Sequence, residues 1–216
     1  MLTLADVAAT ASEMLGDVPE GEPLDPLAAT LITLGCAVSV TCLDRAAIDG
    51  AIGRAFAQGA SVAQVQEIIA LVSGLGVHSL MVSAGTVLAQ ARASGLANEG
   101  PLDAERQALW DKHVGEDPYW LPFEREVPGF LDALLRTSPD LFRGFFAYCS
   151  IPWKTGTVRA LVKELAALAV DASPTHRFMP GFRLHLRNAI LLGAGRRAVE
   201  QTLEIAAHAP LHQGVA

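Results

Sequence analysis

Glu164, His176 and His185 are the side chains of this sequence whose types suit acid/base chemistry. A histidine titrates near neutral pH and can hand a proton to a carbanion or take one away. A carboxylate can orient a histidine, or act as the base itself when desolvation raises its pKa. Glu164 sits in the otherwise apolar stretch ELAALAV, so it either pairs with a partner or faces solvent beside Lys163. It lies 12 positions before His176, and the two can meet only across a loop. His176 belongs to the loop Ser173–Pro180, directly before the helix that carries His185. Loops carry functional groups disproportionately, although an exposed loop histidine is the plain alternative. His185 follows Pro180–Gly181 and is either a general acid/base or a core histidine bonded to a carbonyl. Arg183 and Arg187 flank it and can clamp a substrate carboxylate bidentately.

The remaining candidates offer less. His176, His185, His208 and His212 could together offer a metal site, since His208 and His212 stand four apart, but no Cys or Asp cluster supports it, and no metal is expected. Cys36, Cys42 and Cys149 form an odd, sparse set without a CxxC, which does not read as a disulfide framework. The net charge is −7 and no basic patch stands out, so nucleic acid and an anionic membrane surface are not expected partners. Apolar residues make up 51% and charged residues 18%, which excludes a disordered chain.

These groups must be positioned by helices. Apolar residues recur at helical spacing at Leu27, Leu31 and Leu34, at Ile52, Ala55 and Phe56, and at Val62, Val65, Ile68, Ile69 and Val72. The spacing predicts further helices over Asp103–His113, Gly129–Arg136, Pro139–Tyr148, Val158–Val170, Phe182–Leu192 and Arg197–His208, after a short first helix from Leu2 to Leu15. Ser61 reads as an N-cap, with Gly59 ending the helix before it. No alternating strand pattern is bounded by hairpin turns, so the expected class is all-α. Two uncharged runs, Pro26–Leu43 and Ile68–Ala91, have a membrane-like composition. Ser, Gly, His and Gln within the second point instead to a buried helix pair broken near Gly74–Gly76. The first residues lack the cationic segment of a signal peptide, so a soluble cytoplasmic protein is expected.

The chain also resembles itself. Positions 25–82 aligned without gaps on 159–216 share ten identities over 58 positions. Leucines match at helical spacing (Leu27, Leu31 and Leu34 with Leu161, Leu165 and Leu168), and the helix stop Gly59–Ala60 matches Gly193–Ala194. We therefore expect two tandem repeats of one helical unit, over 1–95 and 138–216. A connector rich in Pro and Trp over 96–137 separates them. The copies differ where chemistry would sit: Glu164 faces Thr30, His176 faces Cys42 and His185 faces Ala51.

The second copy resembles the carboxymuconolactone decarboxylase family, of the same superfamily as the alkylhydroperoxidase AhpD. The matching parts are KEL at Lys163–Leu165, HLRNA at His185–Ala189 and GAG at Gly193–Gly195. The resemblance covers about 55 residues well and the first copy weakly. It implies an AhpD-like helical bundle that packs into homo-oligomers, with a trimer rebuilding six units. It also implies a lyase using cofactor-free acid/base chemistry on a small unsaturated or keto organic acid. In that setting His185 is the proton donor, His176 and Glu164 assist, and Arg183 or Arg187 binds the substrate carboxylate. The peroxidase branch carries a CxxC four residues before the histidine. Those positions here are Phe178 and Gly181, so disulfide-based peroxide reduction is not expected. The degenerate first copy and the absence of an acid at Phe178 leave an alternative, a non-catalytic oligomeric binding or scaffold protein of the same fold.

Overall fold

Several helix starts are set by side chains that accept the first free backbone N–H groups. Thr3 and Ser61 do so in capping boxes with Asp6 and Gln64, and Asp25, Asp44, Asp103 and Ser138 cap other helices. The computed structural model describes residues 2–97 and 100–213; residues 1, 98–99 and 214–216 of the expected segments lie outside the described residues. In chain order the helices are α1 (Leu4–Leu15), α2 (Pro26–Val38), α3 (Arg45–Ala57), α4 (Val62–Gly74), α5 (His78–Ala93), α6 (Ala104–His113) and α7 (Trp120–Glu126). They continue with α8 (Phe130–Thr137), α9 (Pro139–Cys149), α10 (Ile151–Lys154), α11 (Ala160–Ala172), α12 (Met179–Leu191) and α13 (Arg196–Ala207). Among the described residues no strand occurs, in agreement with the all-α expectation.

The chain divides into two compact units, one of Met1–Leu75 with Ile151–Ala216 and one of Gly76–Ser150. The segment limits read from the sequence, 95/96 and 137/138, both fall inside the second unit. There α5 packs on α8, α8 on α9 and α6 on α9, and aromatic rings including Trp120, Phe142 and Phe146 stack edge to face. The expected connector is thus part of a core of its own. The pair α4 and α5 forms a run, Val62–Ala93, that is long and apolar enough by length and composition alone to cross a membrane. A 3₁₀ turn at Leu75–Val77 interrupts it, where the glycines predicted a break. Val65, Ile68 and Leu71 of α4 belong to the core of the first unit.

α11 is the axis of the first unit. Every residue from Val162 to Ser173 is buried, and the helix packs against α2, α4, α12 and α13. A helix apolar all round must lie inside. Its alanines let neighbours approach closely, and this depth places its few polar side chains in the interior.

Two details differ from the expected boundaries. α12 begins at Met179, before Phe182, because Pro180 sits in the first turn, where its missing N–H is not needed. α7 and α10 lie in stretches where the spacing predicted no helix, and the same reasoning covers Pro122 and Pro152 near their starts. α13 has no side-chain N-cap. Its first N–H groups, at Arg196 and Arg197, donate to the carbonyls of Pro19 and Glu20 at 2.9 and 3.0 Å.

Candidate functional site

Glu164 and Asp171 are seven positions apart on α11, two turns along one face. α12 runs back over that face, and His185 comes to lie between them. The Nδ1–H of His185 donates to Glu164 Oε2 at 2.7 Å. The amide of Asn188, one turn further along α12, donates to Glu164 Oε1 at 3.2 Å. Both oxygens of the glutamate are therefore engaged, which satisfies a buried carboxylate. The other ring nitrogen of His185, Nε2, faces Asp171 Oδ2 at 3.9 Å. Asp171 is fully buried, and the His185 side chain is 13% exposed.

The opposed effects on His185 can be ordered. Burial lowers its pKa. The Glu164 hydrogen bond raises it, and the charges of Glu164 and then Asp171 add to the rise, so the net pKa stands above the ordinary histidine value. The site favours an imidazolium, the form that gives a proton.

His176 approaches the same aspartate from the loop between α11 and α12. Its Nε2 lies 3.5 Å from Asp171 Oδ1, and its side chain is 16% exposed. The loop is tightly folded: the N–H groups of His176 and Arg177 both donate to the Ser173 carbonyl, and that of Phe178 donates to the Asp171 carbonyl at 2.9 Å. Arg177 turns the chain with a φ of 49°. A non-glycine residue pays about 1–2 kcal/mol for that left-handed region. The guanidinium of Arg177 donates to the Leu2 carbonyl at 2.9 Å, and α1 packs against α12.

The fold thus brings together three of the side chains singled out in the sequence: Glu164 and His185 directly, and His176 through Asp171. Arg183 and Arg187 are half-buried on α12, two residues either side of His185. On a helix that offset is about 160° around the axis, so their Cα positions face away from His185. Asp171 was not a candidate in the sequence reading. The available signal was a second carboxylate on the same face of the apolar helix as Glu164.

Lys163, taken in the sequence as a neighbour beside which Glu164 could face solvent, is not solvent-facing. It is buried and forms an ion pair with buried Glu67 of α4. Its ammonium also donates to the carbonyls of Pro152 at 2.6 Å and Thr155 at 3.0 Å, and the Thr157 hydroxyl donates to Glu67. Cys36 is a poor nucleophile: burial first, and then the neighbouring Cys42, pushes its thiol up to about 12. An open groove of about 490 Å³ lies elsewhere in the first unit, among residues of α2, α3 and α13; Glu164, Asp171, His176 and His185 do not line it.

The overall structure is similar to a crystal structure from Burkholderia xenovorans that bears the provisional name gamma-carboxymuconolactone decarboxylase subunit. The TM-score is 0.72 and the identity 29%, over 94% of this chain and 77% of that one. The chain has a carboxymuconolactone decarboxylase-like fold. No family model matches the sequence, and no curated protein matches it. Within this decarboxylase-like fold, Phe178 is the N-cap of α12 and Gly181 lies in its first turn, against the Asp171 carboxylate. A Cβ on Gly181 would stand 2.2 Å from Asp171 Oδ2. The Asp171 carboxylate fills the space that a side chain at position 181 would take.

Proposed function

We propose that this protein is a carboxymuconolactone-decarboxylase-like lyase that removes CO2 from a small unsaturated or keto organic acid by acid/base chemistry. The observation that carries the reading is the 2.7 Å bond between His185 and Glu164, buried on a fold shared with a protein of that provisional name. Loss of CO2 leaves an electron pair on carbon, as an enolate-like anion that must be stabilised and then protonated. Glu164 holds Nδ1–H and stabilises the imidazolium, so Nε2 is the nitrogen that delivers the proton. His176 assists from the loop; Arg183 and Arg187 start from the far side of α12, so either binds the substrate carboxylate only by reaching back round the helix with its long side chain, and that reach is part of the proposal. Each of these roles is part of the proposal, as are a cytoplasmic location and a trimeric assembly.

The proposal includes a tandem origin for the two halves of the first unit. In its support, α2 and α3 span 26–38 and 45–57, and adding 134 to each bound gives 160–172 and 179–191, the bounds of α11 and α12.

The test is CO2 release from a panel of carboxylated lactones and β-keto acids, with His185→Ala run alongside. Release by the wild type that disappears in the variant is the expected result. Full activity in the variant would remove His185 from the reaction. The groove beside α2, α3 and α13, set apart from His185, favours a second reading as a non-catalytic binding protein. No release from any compound, with a ligand binding in that groove, would support it.

A further inference from the structure

We propose that Asp171 is a positioning residue of this site, whose carboxylate links His176 to His185 and carries a proton between them. Its two oxygens face different histidines: Oδ1 lies 3.5 Å from His176 Nε2 and Oδ2 lies 3.9 Å from His185 Nε2. The carboxylate is fully buried between two histidines of similar exposure, 13% for His185 and 16% for His176, and His176 belongs to the loop between α11 and α12. Gly181 fixes its place, since only a residue without a Cβ admits the carboxylate there. The order is therefore Glu164, His185, Asp171, His176, from the interior to the loop.

This inference rests on the decarboxylase reading, and gives that reaction a proton supply. Exchanging a carboxylate for hydrogen breaks the bond to CO2, leaves its electron pair on carbon and consumes one proton per turnover. That proton leaves His185 Nε2, which must then be recharged. Glu164 is turned to the other nitrogen and held by Asn188, so it is poorly placed to recharge Nε2. Asp171 Oδ2 faces Nε2 and can return a proton to it. Asp171 Oδ1 takes the replacement from His176, which recovers its own from water. The separations of 3.5 and 3.9 Å close to hydrogen-bond length with small side-chain movements, as resting acid/base sites commonly require.

The test is imidazole ¹⁵N NMR on the full-length protein at one fixed pH. Both rings face the Asp171 carboxylate, so His176→Gln should move the His185 Nε2 resonance through Asp171. We expect that response in the wild-type background and its loss in Asp171→Asn, which should itself shift both histidines. His208, bonded to the Glu204 carbonyl at 2.8 Å on α13, should stay in place and report an intact fold. A His185 resonance indifferent to His176→Gln overturns the proposal without any change at Asp171, so it remains decidable if Asp171→Asn does not fold. An equal response with and without Asp171 overturns it as well. These measurements read the resting protein. A silent coupling therefore sinks the role of Asp171 alone, whereas the absence of CO2 release sinks the decarboxylase reading alone.

Discussion

Gly21 and Gly195 meet backbone to backbone. A Cβ on Gly195 would lie 2.6 Å from the Gly21 Cα and from the Glu20 carbonyl oxygen, and one on Gly21 would lie 2.7 Å from the Gly195 Cα. This approach brings the Pro19 and Glu20 carbonyls onto the first N–H groups of α13, and Leu24 N–H onto Gln201 at 2.7 Å. Backbone cannot swing aside as a long side chain can. Gly195→Ala should therefore cost about 1–3 kcal/mol through overpacking, plus the loss of the carbonyl caps. Urea unfolding checks it; a midpoint equal to wild type would show that the arm yields freely.

The buried pair of Lys163 and Glu67 makes a second prediction. Removing one partner leaves the other charge buried without its counterion, which costs about 3–5 kcal/mol. Glu67→Leu should be strongly destabilising, because Lys163 would keep the carbonyls of Pro152 and Thr155 and the face of Trp153 but no counter-charge. The double variant Glu67→Leu with Lys163→Met should recover much of the loss. Thermal unfolding of the three variants gives the comparison, and additive losses would contradict it.

Gly181→Ala should disturb the candidate site without altering any charge. The added methyl would stand 2.2 Å from Asp171 Oδ2 and 3.0 Å from a Phe178 ring carbon. With Asp171 fully buried, the carboxylate has little room to retreat. We expect a loss of about 1–3 kcal/mol and altered His176 and His185 signals. Unchanged histidine signals would mean that the carboxylate moves without consequence.

The pH dependence of stability has a definite sign at His185. Its pKa is raised in the folded protein because the Glu164 bond and the charges of Glu164 and Asp171 outweigh burial. A group raised on folding binds protons more tightly in the native state. Its contribution to stability is thus complete below the unfolded value of 6.5, and is lost as pH rises through the higher folded value. Glu164→Gln should lower the folded pKa, since burial then meets less opposition, and should flatten this part of the profile. Denaturant midpoints measured from pH 5 to 9 would test it; a variant profile identical to wild type would contradict the assignment.

The helical class, most helix limits and the pairing of chemical types were determined by the sequence itself. Leucine spacing, Asp and Ser caps and the Gly59 stop act over a few residues, so their effect does not depend on what packs against them. Glu164, His176 and His185 were visible because ionisable groups in apolar or loop segments are rare. Only the tertiary structure decided how they meet. Asp171 was no candidate in the sequence, and it gained a role only because α12 and the loop before it fold back and bring two imidazoles to its carboxylate. Lys163 looked like a solvent-facing neighbour of Glu164 until α4 supplied Glu67. Arg183 and Arg187 flanked His185 in sequence, and the turn of α12 carried them to its far side. The glycine at 181 acquired its meaning last: its missing side chain is the space that Asp171 occupies. Contacts between residues far apart in the chain depend on how whole helices pack, and no local pattern specifies that.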